Sequence, residues 1–128
     1  MRTTMPERRF AIAALLLAGA SPAAAEPLTC RGNEPFWSLT IEDGSAAYTA
    51  LGEDPATLAG DIKGLDFLGV RVWRGRGEDD VRDWVAVIET RSCADTMADQ
   101  TFPLQGLVSR PDGRLLAGCC GAPRPSQR

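Results

Sequence analysis

Adjacent cysteines at 119 and 120, with two more at Cys30 and Cys93, constrain this chain more than any other feature. Four cysteines allow three pairings. A bond between neighbours is excluded: Cα atoms across one trans peptide lie about 3.8 Å apart, short of the about 4.4–6.8 Å that disulfides span. Cys119 and Cys120 therefore bond Cys93 and Cys30, one each. Successive side chains of a strand point to opposite faces, so the neighbours can serve partners on two sides of one sheet. We expect Cys93–Cys119 with Cys30–Cys120; the swapped pairing is the alternative. Each long loop closed is worth roughly 3–5 kcal/mol in the chain-entropy model. A redox-active or metal-binding vicinal dithiol is the competing reading, and it lacks both a Cys-x-x-Cys spacing and any histidine.

Disulfides call for an oxidising compartment, and the N-terminus supplies a route to one. Arg2, Arg8 and Arg9 precede an uncharged apolar run from Phe10 to Ala20, and Ala23-Ala24-Ala25 offers a small-residue cleavage site. That run is too short for a bilayer span, which needs about 20 residues. Residues 1–25 thus read as a signal peptide cleaved after Ala25, and the protein is expected in the periplasm with no transmembrane segment in the mature chain. Pro27-Leu28-Thr29 before Cys30 does not resemble a lipobox.

The 103 residues left of 128 carry 11 basic and 16 acidic side chains. This net negative charge argues against nucleic acid as a partner. Only 22 of the 103 are Leu, Ile, Val or Phe, close to the level at which a chain stays disordered. Cross-links therefore matter to its stability. With no histidine in the chain, Ser-His-Asp and Cys-His nucleophiles, histidine zinc sites and histidine-ligated haem are all excluded. No phosphate-binding loop, dinucleotide fingerprint or nucleophile elbow occurs. We expect no enzymatic activity, no cofactor and no metal.

The rest of the chain reads as strands and turns. Trp37, Leu39 and Ile41 alternate along 34–41. Asp43-Gly44 is a hairpin turn leading to a return strand, 46–51, that carries Tyr48. Further strands are expected at 57–63, 66–74 and 83–90, with a charged turn at 75–80. Residues 93–100 have little periodicity and read as a loop with one helical turn, capped by Asp95 or Asp99. Strands at 103–109 and 114–120 flank a turn at Arg110-Pro111-Asp112-Gly113, a register that sets Cys120 opposite Pro103. The expected fold is all-β: a small antiparallel barrel or sandwich of seven to eight strands in one domain, residues 26–120, followed by a disordered tail, 121–128.

Four blocks occur in order: Gly32-Asn33-Glu34-Pro35-Phe36-Trp37, Cys93-Ala94-Asp95-Thr96-Met97-Ala98-Asp99, Phe102-Pro103 and Leu116-Ala117-Gly118-Cys119-Cys120. Together they resemble a family of uncharacterised bacterial envelope proteins, some of them lipoproteins, with the pattern G-[NT]-E-P-F-W, C-x-D-G-M-S-D-x-x-Y-P, L-x-G-C. The chain departs from that pattern at Thr96, Ala98 and Phe102, where Gly, Ser and Tyr are usual. More distantly it resembles the small envelope domains of HslJ-like proteins and periplasmic lysozyme inhibitors, a likeness of architecture.

Candidate binding residues are Glu34, Phe36, Trp37, Asp95, Met97 and Asp99. Glu34 to Trp37 could form a binding lip, or simply a strand start with Trp37 in the core. Asp95 and Asp99 could act as acid and base or as calcium ligands, or only cap their loop. Met97 between them suits a hydrophobic plug. The expected function is a non-catalytic, monomeric binding or interaction module for an unknown small ligand or envelope protein. An inhibitor of a secreted hydrolase such as lysozyme, using the acidic turn, is the alternative; a carboxylate-dependent enzyme is a third.

Overall fold

The computed structural model describes residues 4, 11–19 and 26–125. Ala25 and residues 126–128 lie outside the described residues. The strands are β1 (Leu28–Asn33), β2 (Phe36–Glu42), β3 (Ser45–Ala50), β4 (Ala56–Leu65), β5 (Val70–Arg76), β6 (Trp84–Glu89), β7 (Cys93–Asp95), β8 (Gln100–Phe102), β9 (Leu104–Ser109), β10 (Leu115–Cys120) and β11 (Arg124–Pro125). Eight of them close an antiparallel barrel in the order β1-β10-β9-β6-β5-β4-β3-β2, and β11-β8-β7 form a small sheet of their own. The all-β expectation therefore holds, and between barrel and sandwich the chain forms the barrel. Among the described residues no helix is long and apolar enough to cross a membrane.

Period-2 alternation builds the core. Trp37, Leu39 and Ile41 of β2 point inward, as do Trp84, Ala86 and Ile88 of β6. Trp73, fully buried, lies against Gly60 and Gly75, where a Cβ would strike its ring. Gly44, at φ 74°, makes the β2–β3 turn.

The barrel closes where β1 meets β10, over a ladder of only two pairs, Cys30↔Cys120 and Arg31↔Cys119. The Gly121 N–H adds one hydrogen bond to the Thr29 carbonyl at 3.0 Å. The Cys30–Cys120 disulfide crosses this short seam from inside. Both its cysteines are fully buried, and Gly106 leaves the space they occupy. Cys119 faces the other way and bonds Cys93 of β7, tying the small sheet to the outer wall. The expected pairing, and its division between two faces of β10, is the one found.

The structure corrects several boundaries. Asp66–Leu68 is a 3-10 turn and not strand. Gly69 takes the left-handed conformation and donates its N–H to the Asp66 carbonyl, and β4 runs two residues past the expected end at 63, to Leu65. Residues 93–102 form a β-hairpin instead of a loop with a helical turn. Its tight turn is set by Asp99 at φ 50° and by Asp95, whose Oδ1 accepts from the Met97 and Ala98 N–H groups. Cys120 lies opposite Leu104, one residue from the expected register, because the β9–β10 connection has five residues: the Arg110 N–H reaches the Arg114 carbonyl. Within the expected tail, Arg124 pairs with Thr101 and Pro125 with Gln100, so the chain is ordered through β11.

Candidate functional site

Beyond β1 the chain turns at Glu34-Pro35, a cis peptide, and enters β2 at Phe36. This corner faces the β7–β8 hairpin. Asn33 Nδ2 donates to Asp95 Oδ1 at 2.7 Å, linking the end of β1 to the hairpin. The Arg31 guanidinium lies over the Phe102 ring, 5.9 Å from its centroid, and Phe102 is buried between hairpin and barrel. With the Cys93–Cys119 bond, these contacts hold the hairpin against β1 and β10.

Two open clefts flank the corner. One, about 440 Å³, is bounded by Arg31, Asn33, Glu34, Asp95, Met97 and the Cys93–Cys119 disulfide. The other, about 610 Å³, runs over the outer face of β1, β2 and β3, past Phe36, Ser38 and Thr49. Arg31, Gly32 and Asn33 form the wall between them. On that outer face Ser38 and Thr49 hydroxyls bond at 2.7 Å, and those of Thr29 and Thr40 at 3.1 Å.

Glu34, Asp95 and Met97 thus share one cleft, and Phe36 borders the adjoining one. Phe36 is 52% exposed and Met97 63%, so two apolar side chains flank the corner in water. Met97 is therefore not the buried plug its sequence position suggested. Trp37 belongs to the core, at 4% exposure, and only borders the larger cleft. Asp99 shapes the turn and lines neither cleft. Asp95 Oδ1 takes three hydrogen bonds, from Asn33 and two backbone N–H groups, which commits it to holding the hairpin. Among the described residues no three Cys, Asp or Glu side chains gather as a metal ion would require.

One cluster had no distinguishing signal in the sequence. Arg110, read there only as a turn residue, folds back over the same end of the barrel with 14% of its side chain exposed. It pairs with Glu53 at 2.8 Å and Asp112 at 3.2 Å, and donates to the Tyr48 hydroxyl at 3.2 Å. Its guanidinium lies over the Tyr48 and Trp84 rings, 5.4 and 5.5 Å from their centroids. The hydrogen bond to Glu53 is the main reason its pKa rises, and the same bond holds the Glu53 carboxyl below its usual value. This stack covers the buried Tyr48 and Trp84 rings at that end of the barrel.

The acidic turn is partly consumed by its own structure. Asp80 Oδ2 accepts from the Trp84 indole N–H at 2.8 Å and from the Gly77 N–H at 2.6 Å, while Asp83 pairs with Arg76. Glu78 and Asp79 stay exposed.

No protein-family model matches this chain, and no curated protein and no solved structure is significantly similar to it. Its two disulfides fit an oxidising, extracytoplasmic environment.

Proposed function

We propose that this chain is a non-catalytic binding module of the bacterial periplasm. It is exported by its N-terminal leader, released after Ala25, and related to the envelope family its four sequence blocks resemble. The observation that carries the reading is the convergence at one corner. A guanidinium (Arg31), a carboxylate (Glu34) and two exposed apolar side chains (Phe36, Met97) surround clefts outside a filled barrel. A disulfide and an Asn–Asp hydrogen bond fix the hairpin beside them. Such a site suits a small ligand with an apolar face and polar edges, or a loop of an envelope protein with the same character.

Native mass spectrometry of protein recovered from its own compartment tests this. A non-covalent adduct on the wild type that is lost from F36A/M97A supports the site. An adduct that persists unchanged in that variant places binding elsewhere. Stoichiometric inhibition of a lysozyme, abolished by E78A/D79A, would instead favour the inhibitor reading. The internal use of Asp80 and Asp83 weighs against that outcome.

A further inference from the structure

The hairpin that joins β4 to β5 runs on beyond the barrel. Leu28 pairs with Ile41, Ile41 with Ala46 and Ala46 with Leu58, so these residues mark one end of the wall. Pairing of β3 with β4 stops at Ser45↔Ala59, whereas β4 and β5 stay paired to Leu65↔Val70. The ribbon therefore projects from the end opposite the Asn33–Phe36 corner. Its tip has a defined turn. Asp66–Leu68 form the 3-10 turn, and Gly69, at φ 63°, donates its N–H to the Asp66 carbonyl. The Gly69 carbonyl accepts from the Thr90 N–H at 2.7 Å, which ties the tip to the chain beyond β6.

This tip is apolar and bare. Phe67 is 85% exposed, Leu68 58% and Leu65 52%. Single apolar side chains are normal on a surface, but three within four residues at a projecting tip mark a contact site. The charged groups are drawn back from it. A Cβ on Gly64 would stand 3.4 Å from Asp66 Oδ1 and 3.4 Å from the Arg71 side chain. The carboxylate of the tip is thus folded back over Gly64, beside Arg71. Arg71 lies opposite Gly64 and Lys63 opposite Val72, so one cation stands on each face of the ribbon. At the rise of a strand they sit about 3 and about 7 Å behind the Leu65–Val70 pair.

We propose that this tip seats in a lipid surface, with Leu65, Phe67 and Leu68 in the interface and Lys63 and Arg71 at the headgroup phosphates. A convex apolar tip suits a bilayer, which needs no preformed pocket. Interfacial elements bury their apolar side by about 5–10 Å, and the two cations stand at that depth. Long cationic side chains place their charge at this level. The whole chain carries a net charge of −3, so apolar insertion, and not overall charge, drives the contact. The chain also enters the barrel at this end: Glu26, Pro27 and Leu28 border a notch with Arg71. On the export reading above, the leader brings this end to the membrane first. Docking leaves the Asn33–Phe36 corner turned away from the lipid. Three side chains give a weak, reversible contact, since even a single myristoyl chain binds only marginally.

Co-sedimentation with vesicles of phosphatidylethanolamine and phosphatidylglycerol, at about 5 mM lipid, tests it. The protein is recovered from cells, so every variant carries the same N-terminus. The wild type should partition to these vesicles, and also to vesicles of zwitterionic phosphatidylcholine. F67A/L68A should lower the partition coefficient at least about tenfold and leave the urea midpoint unchanged, because both side chains are exposed. K63Q/R71Q should lower it about tenfold on the anionic vesicles and less on the zwitterionic ones. F67W places an indole at the tip. Its emission should shift to the blue on binding and be quenched by lipid with brominated acyl chains, while that of the buried Trp37, Trp73 and Trp84 should not. A wild type that stays in the supernatant overturns the proposal. So does binding indifferent to F67A/L68A, or an F67W indole beyond the reach of the brominated chains. Self-association without lipid that F67A/L68A abolishes, together with no vesicle binding, would instead make a second copy of the chain the occupant.

Discussion

Replacing Cys93 and Cys119 together by alanine should destabilise the protein without changing its fold. The bond closes a loop with a sequence separation of 26, for which loop entropy gives about 3.5 kcal/mol. For a domain of this size that is a fall in Tm of about 15–25 °C. Removing Cys30 and Cys120 should cost more. That bond spans a separation of 90, worth about 4.6 kcal/mol on the same scale. Both its cysteines are fully buried, so their loss also leaves unfilled core volume, adding about 1–2 kcal/mol. The total approaches the whole stability of a small domain, about 5–15 kcal/mol. Equilibrium unfolding in urea, followed by the emission of the buried Trp37, Trp73 and Trp84, measures both variants. Equal costs for the two bonds, or a cost below about 1 kcal/mol for the outer one, would refute the division into a core staple and an external tether.

Three further outcomes are expected. Gly106→Ala should cost about 1–3 kcal/mol, because its Cβ would stand 2.5 Å from the Cys120 sulfur and 3.2 Å from that of Cys30; the urea midpoint reads it. Glu53 has a folded-state pKa below its ordinary value because it accepts from Arg110. Its contribution is therefore complete above the unfolded pKa of about 4.3 and is lost as pH falls through the lower folded value. E53Q should lower stability by a constant amount above that range and flatten the acid limb of stability against pH within it. F36A/M97A should shift stability by no more than about 0.5 kcal/mol, since both side chains are exposed, so any binding it loses is not a folding defect.

The sequence made the scaffold legible and left much of the site hidden. Alternation located Trp37, Leu39 and Ile41 because a half-buried strand must repeat every second residue. The adjacent cysteines announced their two-sided role because neighbours in a strand cannot share a face. Asp66–Leu68 reads as strand because Phe67 extends the apolar run of Val70, Val72 and Trp73, and nothing in the local pattern marks the left-handed turn at Gly69. The hairpin at 93–102 was missed because its strands have three residues each, too few to show a period. They are held by a disulfide and by Asn33, which lies 62 positions away. Arg110 was invisible for the same reason: its partners Glu53, Tyr48 and Trp84 are brought to it only by closing the barrel.

The intact mass of protein recovered from cells, unreduced and untagged, tests most directly whether this chain is an exported barrel tied by two disulfides. We predict a mass matching residues 26–128 less four hydrogens, rising by four on full reduction. A chain with free thiols, or one that still carries residues 1–25 or a lipid, would contradict the account.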